Sequence, residues 1–93
     1  MSDYRLFETD EFRRRGAALA RHGVRGLDRK LAAYVYPPLR EEPHHGPSIK
    51  RLQGCRPPAW RYRIGRFRVF FAIDEEERIV FLLTVDDRKD AYR

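Results

Sequence analysis

Residues 60–71 read WRYRIGRFRVFF, and this stretch constrains the fold more than any other. Two runs alternate apolar and basic residues, which is the period of a β-strand. Between them lie only Gly65 and Arg66, the length of a tight hairpin turn with glycine in its first position. A two-residue turn leaves no freedom of register. Ile64 must face Phe67, Arg63 must face Arg68, Tyr62 must face Val69, Arg61 must face Phe70 and Trp60 must face Phe71. Directly opposed residues share a face of the ribbon. One face then carries Trp60, Tyr62, Ile64, Phe67, Val69 and Phe71, and the other carries Arg61, Arg63, Arg68 and Phe70. Arg66 falls at the turn and is expected in solvent. A slip of one residue would drive the arginines into the core, so the hydrophobic face strongly selects this register.

An isolated two-stranded ribbon is marginal in water, so its apolar face needs a cover. The first half of the chain supplies one. Tyr4-Arg5-Leu6-Phe7 is expected to form a short first strand. Thr9 or Asp10 can cap a following helix, and Asp10 and Glu11 suit its positive first turn. Phe12, Gly16, Leu19, Ala20 and Gly23 recur at helical spacing among Arg13, Arg14, Arg15 and Arg21, and Gly23 is a natural stop. Val24, Leu27, Leu31, Tyr34 and Val35 make a second amphipathic set, which Pro37-Pro38 should end or kink. Helices joined so closely should pack as an antiparallel hairpin. Residues 37–50, PPLREEPHHGPSIK, read as loop. After the hairpin, residues 74–77 make a turn, and Ile79 to Val85, apolar on both faces, is expected to be a central strand. The predicted order is β-α-α-β-β-β. It is an α+β fold, with a mainly antiparallel sheet covered on one face by a helical hairpin, and a single domain is expected over residues 1–93.

The charge balance bears on partners. Lys and Arg number 20 against 14 Asp and Glu, a formal net charge of +6 and a pI near 10.0. That favours an anionic partner: nucleic acid, an acidic protein segment or a membrane surface. Cys55 is the only cysteine, which excludes an internal disulfide and suits a reducing compartment. Asp3, Arg5, Glu8, Asp10 and Glu11 fall among the apolar residues of the N-terminus, which therefore does not resemble a signal peptide, and no apolar run approaches the ~20 residues of a membrane span. A soluble cytoplasmic protein with no membrane association is expected. His44-His45 sit in the Pro/Gly stretch without a cysteine partner and read as loop rather than as metal ligands.

Three arginines meeting on one sheet face, with Phe70 beside them and no acid in either strand before Asp74, read as a phosphate or RNA site. Guanidinium groups fork around phosphate oxygens, and an aromatic ring can stack on a base. Arg88 and Tyr92, in the closing TVDDRKDAYR, follow the last strand and could reach the same phosphate.

The segment LQGCRPPAWRYRIGRFRVFFAIDEEERIVFLLTVDDRKDAYR resembles the C-terminal half of RelE-type toxins, in the RelE/ParE superfamily of bacterial toxin–antitoxin systems. The resemblance rests on an ordered set: Leu52-Gln53-Gly54, then Trp60 to Ile64 with its alternating basic residues, Gly65 to Val69, Val85 to Arg88, and Ala91-Tyr92. It implies a metal-independent and cofactor-free endoribonuclease that cuts mRNA in the ribosomal A site, held in check by an antitoxin in a hetero-oligomer. By the same resemblance the catalytic residues are Arg61, Arg63, Arg68, Arg88 and Tyr92. RNA binding falls to Arg61, Arg63, Arg68, Phe70 and Lys89. The chain departs from the pattern in two places. Arginine stands where the family often has lysine, which weakens any general-base role there. Asp86-Asp87 stand before Arg88 in place of a glycine and a basic residue, and are expected to be a solvated strand end or partners of a nearby arginine. The ParE branch, which shares the fold and poisons DNA gyrase, usually lacks the arginine set. A degenerate relative that only binds RNA or an antitoxin is the third reading.

Overall fold

The structure, a computed structural model, describes residues 4–88. The elements run β1 (Arg5–Glu8), α1 (Asp10–Arg21), α2 (Leu27–Lys30), a π-helical turn (Leu31–Val35), α3 (Tyr36–Glu41), β2 (Ile49–Arg51), β3 (Trp60–Ile64), β4 (Phe67–Asp74) and β5 (Ile79–Asp87). The five strands form one sheet in the order β1-β5-β4-β3-β2, with β1 parallel to β5 and the other pairs antiparallel. No described helix is long and apolar enough to cross a membrane.

The hairpin register is the expected one at all five pairs, from Trp60 opposite Phe71 to Ile64 opposite Phe67. Gly65 adopts φ 57°, a left-handed conformation that costs a residue without a Cβ little and lets the chain reverse in two residues. Val69 and Phe71 are fully buried, and with Val80, Leu82 and Val85 of β5 they form the sheet side of the core. Phe12 and Leu19 of α1, and Leu27, Leu31, Val35 and Leu39 of the second helical segment, form the other side. The helices therefore cover one face of the sheet, and the other face is open.

Thr9 is the N-cap of α1. Its hydroxyl accepts from the Phe12 N–H at 3.2 Å and faces the Leu82 and Leu83 carbonyls at 2.9 and 3.0 Å, which ties the start of the helix to the middle of β5.

Two expectations need correction, both within residues 37–50. The helix does not end at Pro37-Pro38 but continues to Glu41, because the prolines fall in the first turn of α3, where missing N–H groups do least harm. The ladder is re-phased ahead of them by the π-helical turn. An α-helical ladder would pair the Tyr34 carbonyl with the N–H of residue 38, a proline; the Tyr62 hydroxyl of β3 donates to it at 2.9 Å instead. The second correction is β2. Ile49–Arg51 pairs with β3, Lys50 opposite Arg61, so the sheet has five strands rather than four. Three residues beside a proline- and glycine-rich loop have too little local pattern to announce a strand; cross-strand pairing creates it.

Candidate nucleic-acid interface

The open face of the sheet gathers side chains from β2 to β5. Between the buried Val69 and Phe71, strand alternation turns Phe70 outward, and Arg68 lies on the same side. Opposite them stand Arg61 and Arg63 of β3, and beyond Arg61 lies the exposed Lys50 of β2. On the other flank, Thr84 faces Phe70 and Asp86 faces Arg68. A bulge between Phe70 and Phe71 accommodates one extra residue of β5, Leu83, and keeps Val85 and Leu82 on the core side. Arg61, Arg63, Arg68 and Phe70 thus share one surface. Lys50 was not legible as part of it, because nothing local marked β2 as a strand.

The arginines differ in how they are held. Arg63 is exposed and opposes Arg68 directly. Arg61 is half-buried, and its Nε is buried with no hydrogen-bond partner among the described residues. A buried, unsatisfied N–H on a cation is costly, so the Arg61 side chain is held where it is at some expense of stability. Neither Arg61 nor Arg63 takes part in any ion pair among the described residues. Arg68, in contrast, meets Asp86 at two points: Nε to Oδ1 at 3.0 Å and Nη2 to Oδ2 at 3.2 Å. Its guanidinium also lies 6.0 Å from the centre of the Phe70 ring.

Asp87 is no solvated strand end. Alternation sends it to the core side opposite Phe67, where it is 4% exposed and pairs with Arg66 Nε at 3.1 Å. Arg66, expected in solvent, is exposed at the turn, from where it reaches Asp87 and lies over the Phe67 ring. The Arg88 N–H donates to the Arg66 carbonyl at 2.7 Å. The tip of the β3–β4 hairpin is therefore braced against the end of β5, which places the exposed Arg88 beside the turn. Lys89 and Tyr92 lie outside the described residues.

A separate polar cluster sits where the segment after α3 meets the β4–β5 turn. His44 Nδ1 is 2.7 Å from Glu42, its Nε2 contacts Glu75, and the Tyr4 hydroxyl donates to Glu75 at 2.9 Å. Burial works against a charged imidazole here, but the hydrogen bonds to Glu75 and Glu42 prevail and raise the His44 pKa above its usual value. The Glu42 pKa is lowered first by the His44 backbone N–H, which donates to it at 3.0 Å, and then by the ring, and the Glu75 pKa is lowered by the His44 ring and then by the Tyr4 hydroxyl. Among the described residues, no group of three or more His, Cys, Asp and Glu side chains is arranged to hold a metal ion.

Comparison with known proteins agrees with this architecture. No curated protein matches the chain. Among solved structures, the archaeal RelE–RelB complex from Pyrococcus horikoshii is similar at TM-score 0.70 and 17% identity, covering 92% of this chain and 96% of that one. The toxin–antitoxin complex RelBE2 from Mycobacterium tuberculosis is similar at TM-score 0.62 and 25% identity, covering 92% and 99%. The family model described as the ParE toxin of the type II toxin–antitoxin system parDE matches residues 9–92. Fold, ordered motif and family model agree, and the chain belongs to the RelE/ParE superfamily of toxins from type II toxin–antitoxin systems.

Proposed function

We propose that this toxin is a ribosome-dependent mRNA endonuclease of the cytoplasm, acting without a metal ion. The observation that carries the reading is the open sheet face, where Arg61 and Arg63 enter no ion pair among the described residues and share one surface with Arg68 and Phe70. In the proposed reaction the 2′-hydroxyl of a nucleotide attacks the adjacent phosphate. The O2′–P bond forms as the 2′-hydroxyl gives its proton to solvent water, the P–O5′ bond breaks, and the leaving 5′ oxygen takes up a proton. Arg61, Arg63 and Arg68 stabilise the negative charge that builds on the phosphate, as preorganised donors do in other phosphoryl and acyl transfers. Arg88 stabilises the leaving oxygen. Phe70 stacks on a base, and Lys89 and Tyr92, which follow Arg88 in the chain, contact the nucleotide. An antitoxin shields the toxin by covering the basic face or the helices.

The second reading is inhibition of DNA gyrase, favoured by the family model itself, which describes a ParE toxin. Induction in a bacterial host with sequencing of mRNA ends separates the two. Cuts within translated codons are expected. Growth arrest with DNA damage and intact mRNA would replace this reading with the gyrase one.

A further inference from the structure

Arg68 holds Asp86 with the two-point geometry that guanidinium groups use for phosphate, a pair of roughly parallel N–H···O contacts from Nε and Nη2 to two carboxylate oxygens. The placement is dictated by the fold. Val85 and Asp87 are buried on the core side, so Asp86 between them must emerge on the open face, and pairing of β4 with β5 sets it opposite Arg68. Across β3 the nearest charge is Arg63, also a cation. Asp86 is therefore the acid that the described part of this basic surface presents to Arg68, and it fills the edge of the guanidinium that a phosphate would need. Both side chains are about a quarter exposed, so the pair is solvent-screened and weak enough to exchange.

We propose that Asp86 is an intramolecular latch on the RNA site. It occupies the phosphate-binding edge of Arg68 in the free toxin, and a backbone phosphate must displace it. The proposal rests on the RNA-binding reading given above and deepens it. Among the described residues the resting site then presents Arg61 and Arg63 as its unpaired cations, and Arg68 joins only when a phosphate is offered. The latch keeps the net charge of the surface below what its arginines alone would set, and so restrains binding to stray polyanions.

The test is binding of a single-stranded RNA oligonucleotide with 2′-O-methyl groups throughout, which cannot be cleaved, by the purified toxin. Asp86→Asn keeps the side-chain shape and removes the charge. It should tighten binding about tenfold and steepen the dependence on salt by about one phosphate contact, a change near 0.7 in the log–log slope for a single strand. Arg68→Ala should weaken binding about twofold in the natural background but tenfold or more in the Asp86→Asn background. Such non-additivity is the signature of one group blocking another. Asp86→Ser repeats the measurement should the asparagine variant fold poorly. Unchanged or weaker binding by both Asp86 variants, or an equal Arg68→Ala effect in the two backgrounds, overturns the latch. Mapping of mRNA ends with the natural toxin is read separately. Cuts without tightening sink the latch alone, and tightening without cuts upholds the latch while removing the nuclease reading.

Discussion

Arg63 stands directly opposite Arg68 on the exposed face of the β3–β4 hairpin, two cations in a cross-strand pair. Like charges so placed destabilise a sheet, and among the described residues Asp86 pairs with Arg68 while no acid pairs with Arg63. A stability cost kept on the sheet face that the helices leave uncovered marks a site shaped for a ligand rather than for folding. Arg63→Thr removes the repulsion and adds a good strand former. It should raise stability by about 0.2–1 kcal/mol while abolishing or severely reducing mRNA cleavage. Thermal unfolding and end-mapping on the same variant check both halves. Loss of stability together with loss of activity would mean that Arg63 serves the fold.

Arg66 and Arg68 are two residues apart and should behave oppositely. Arg68→Ala is expected to abolish cleavage with the fold intact. Arg66→Ala should leave toxicity largely in place but cost about 1–2 kcal/mol of stability, because it removes a charged partner from the buried Asp87. Urea unfolding with unchanged growth arrest is the expected outcome for Arg66→Ala. A fully toxic Arg68→Ala would refute the arginine-face account.

The Tyr62 hydroxyl serves the Tyr34 carbonyl, whose α-helical donor position is occupied by Pro38. Tyr62→Phe keeps the ring in the core and deletes only that donor. A loss of about 0.5–1.5 kcal/mol is expected, the net worth of one hydrogen bond near the surface. Faster amide exchange in residues 31–41 should accompany it, since the π-helical turn loses its outside support. Unchanged exchange there would show that water replaces the hydroxyl without cost.

His44 makes stability depend on pH. Its pKa is raised in the folded state, so the protonated clamp to Glu42 and Glu75 is fully stabilising below about pH 6.5, and its contribution is lost as pH rises through the raised value. The two carboxylates are lowered, so their contribution is present above about pH 4.5 and is lost as pH falls through their depressed values. The clamp therefore contributes most between about pH 4.5 and 6.5. Tyr4, with Arg78 over its ring, and His45 and Trp60 beside His44 complete the surroundings. The melting temperature should fall between pH 6 and pH 8.5, and His44→Gln should flatten that slope. A variant with the natural pH profile would place the titrating group elsewhere.

Much of this molecule is local physics. A two-residue turn and a period of two are short-range facts, and they sorted Trp60 to Phe71 into a buried aromatic face and an open arginine face. Thr9 as helix cap and Gly23 as helix stop follow equally from neighbouring residues. The ordered motif from Leu52 to Tyr92 also carried the family. Tertiary structure decided what depends on partners far along the chain. The carbonyl of Tyr34, whose α-helical donor position is Pro38, is served by Tyr62, 28 residues away in sequence. Strand β2 exists because β3 offers a ladder to Ile49–Arg51. The fate of the two aspartates depends on the register of β5 against β4, set by a bulge that no local pattern announces. That register sends Asp87 inward to Arg66 and Asp86 outward to Arg68, 18 residues away in sequence. Local propensity places a residue on a strand, but only long-range pairing chooses what stands opposite it, and in this toxin that choice determines which arginines are open to a ligand.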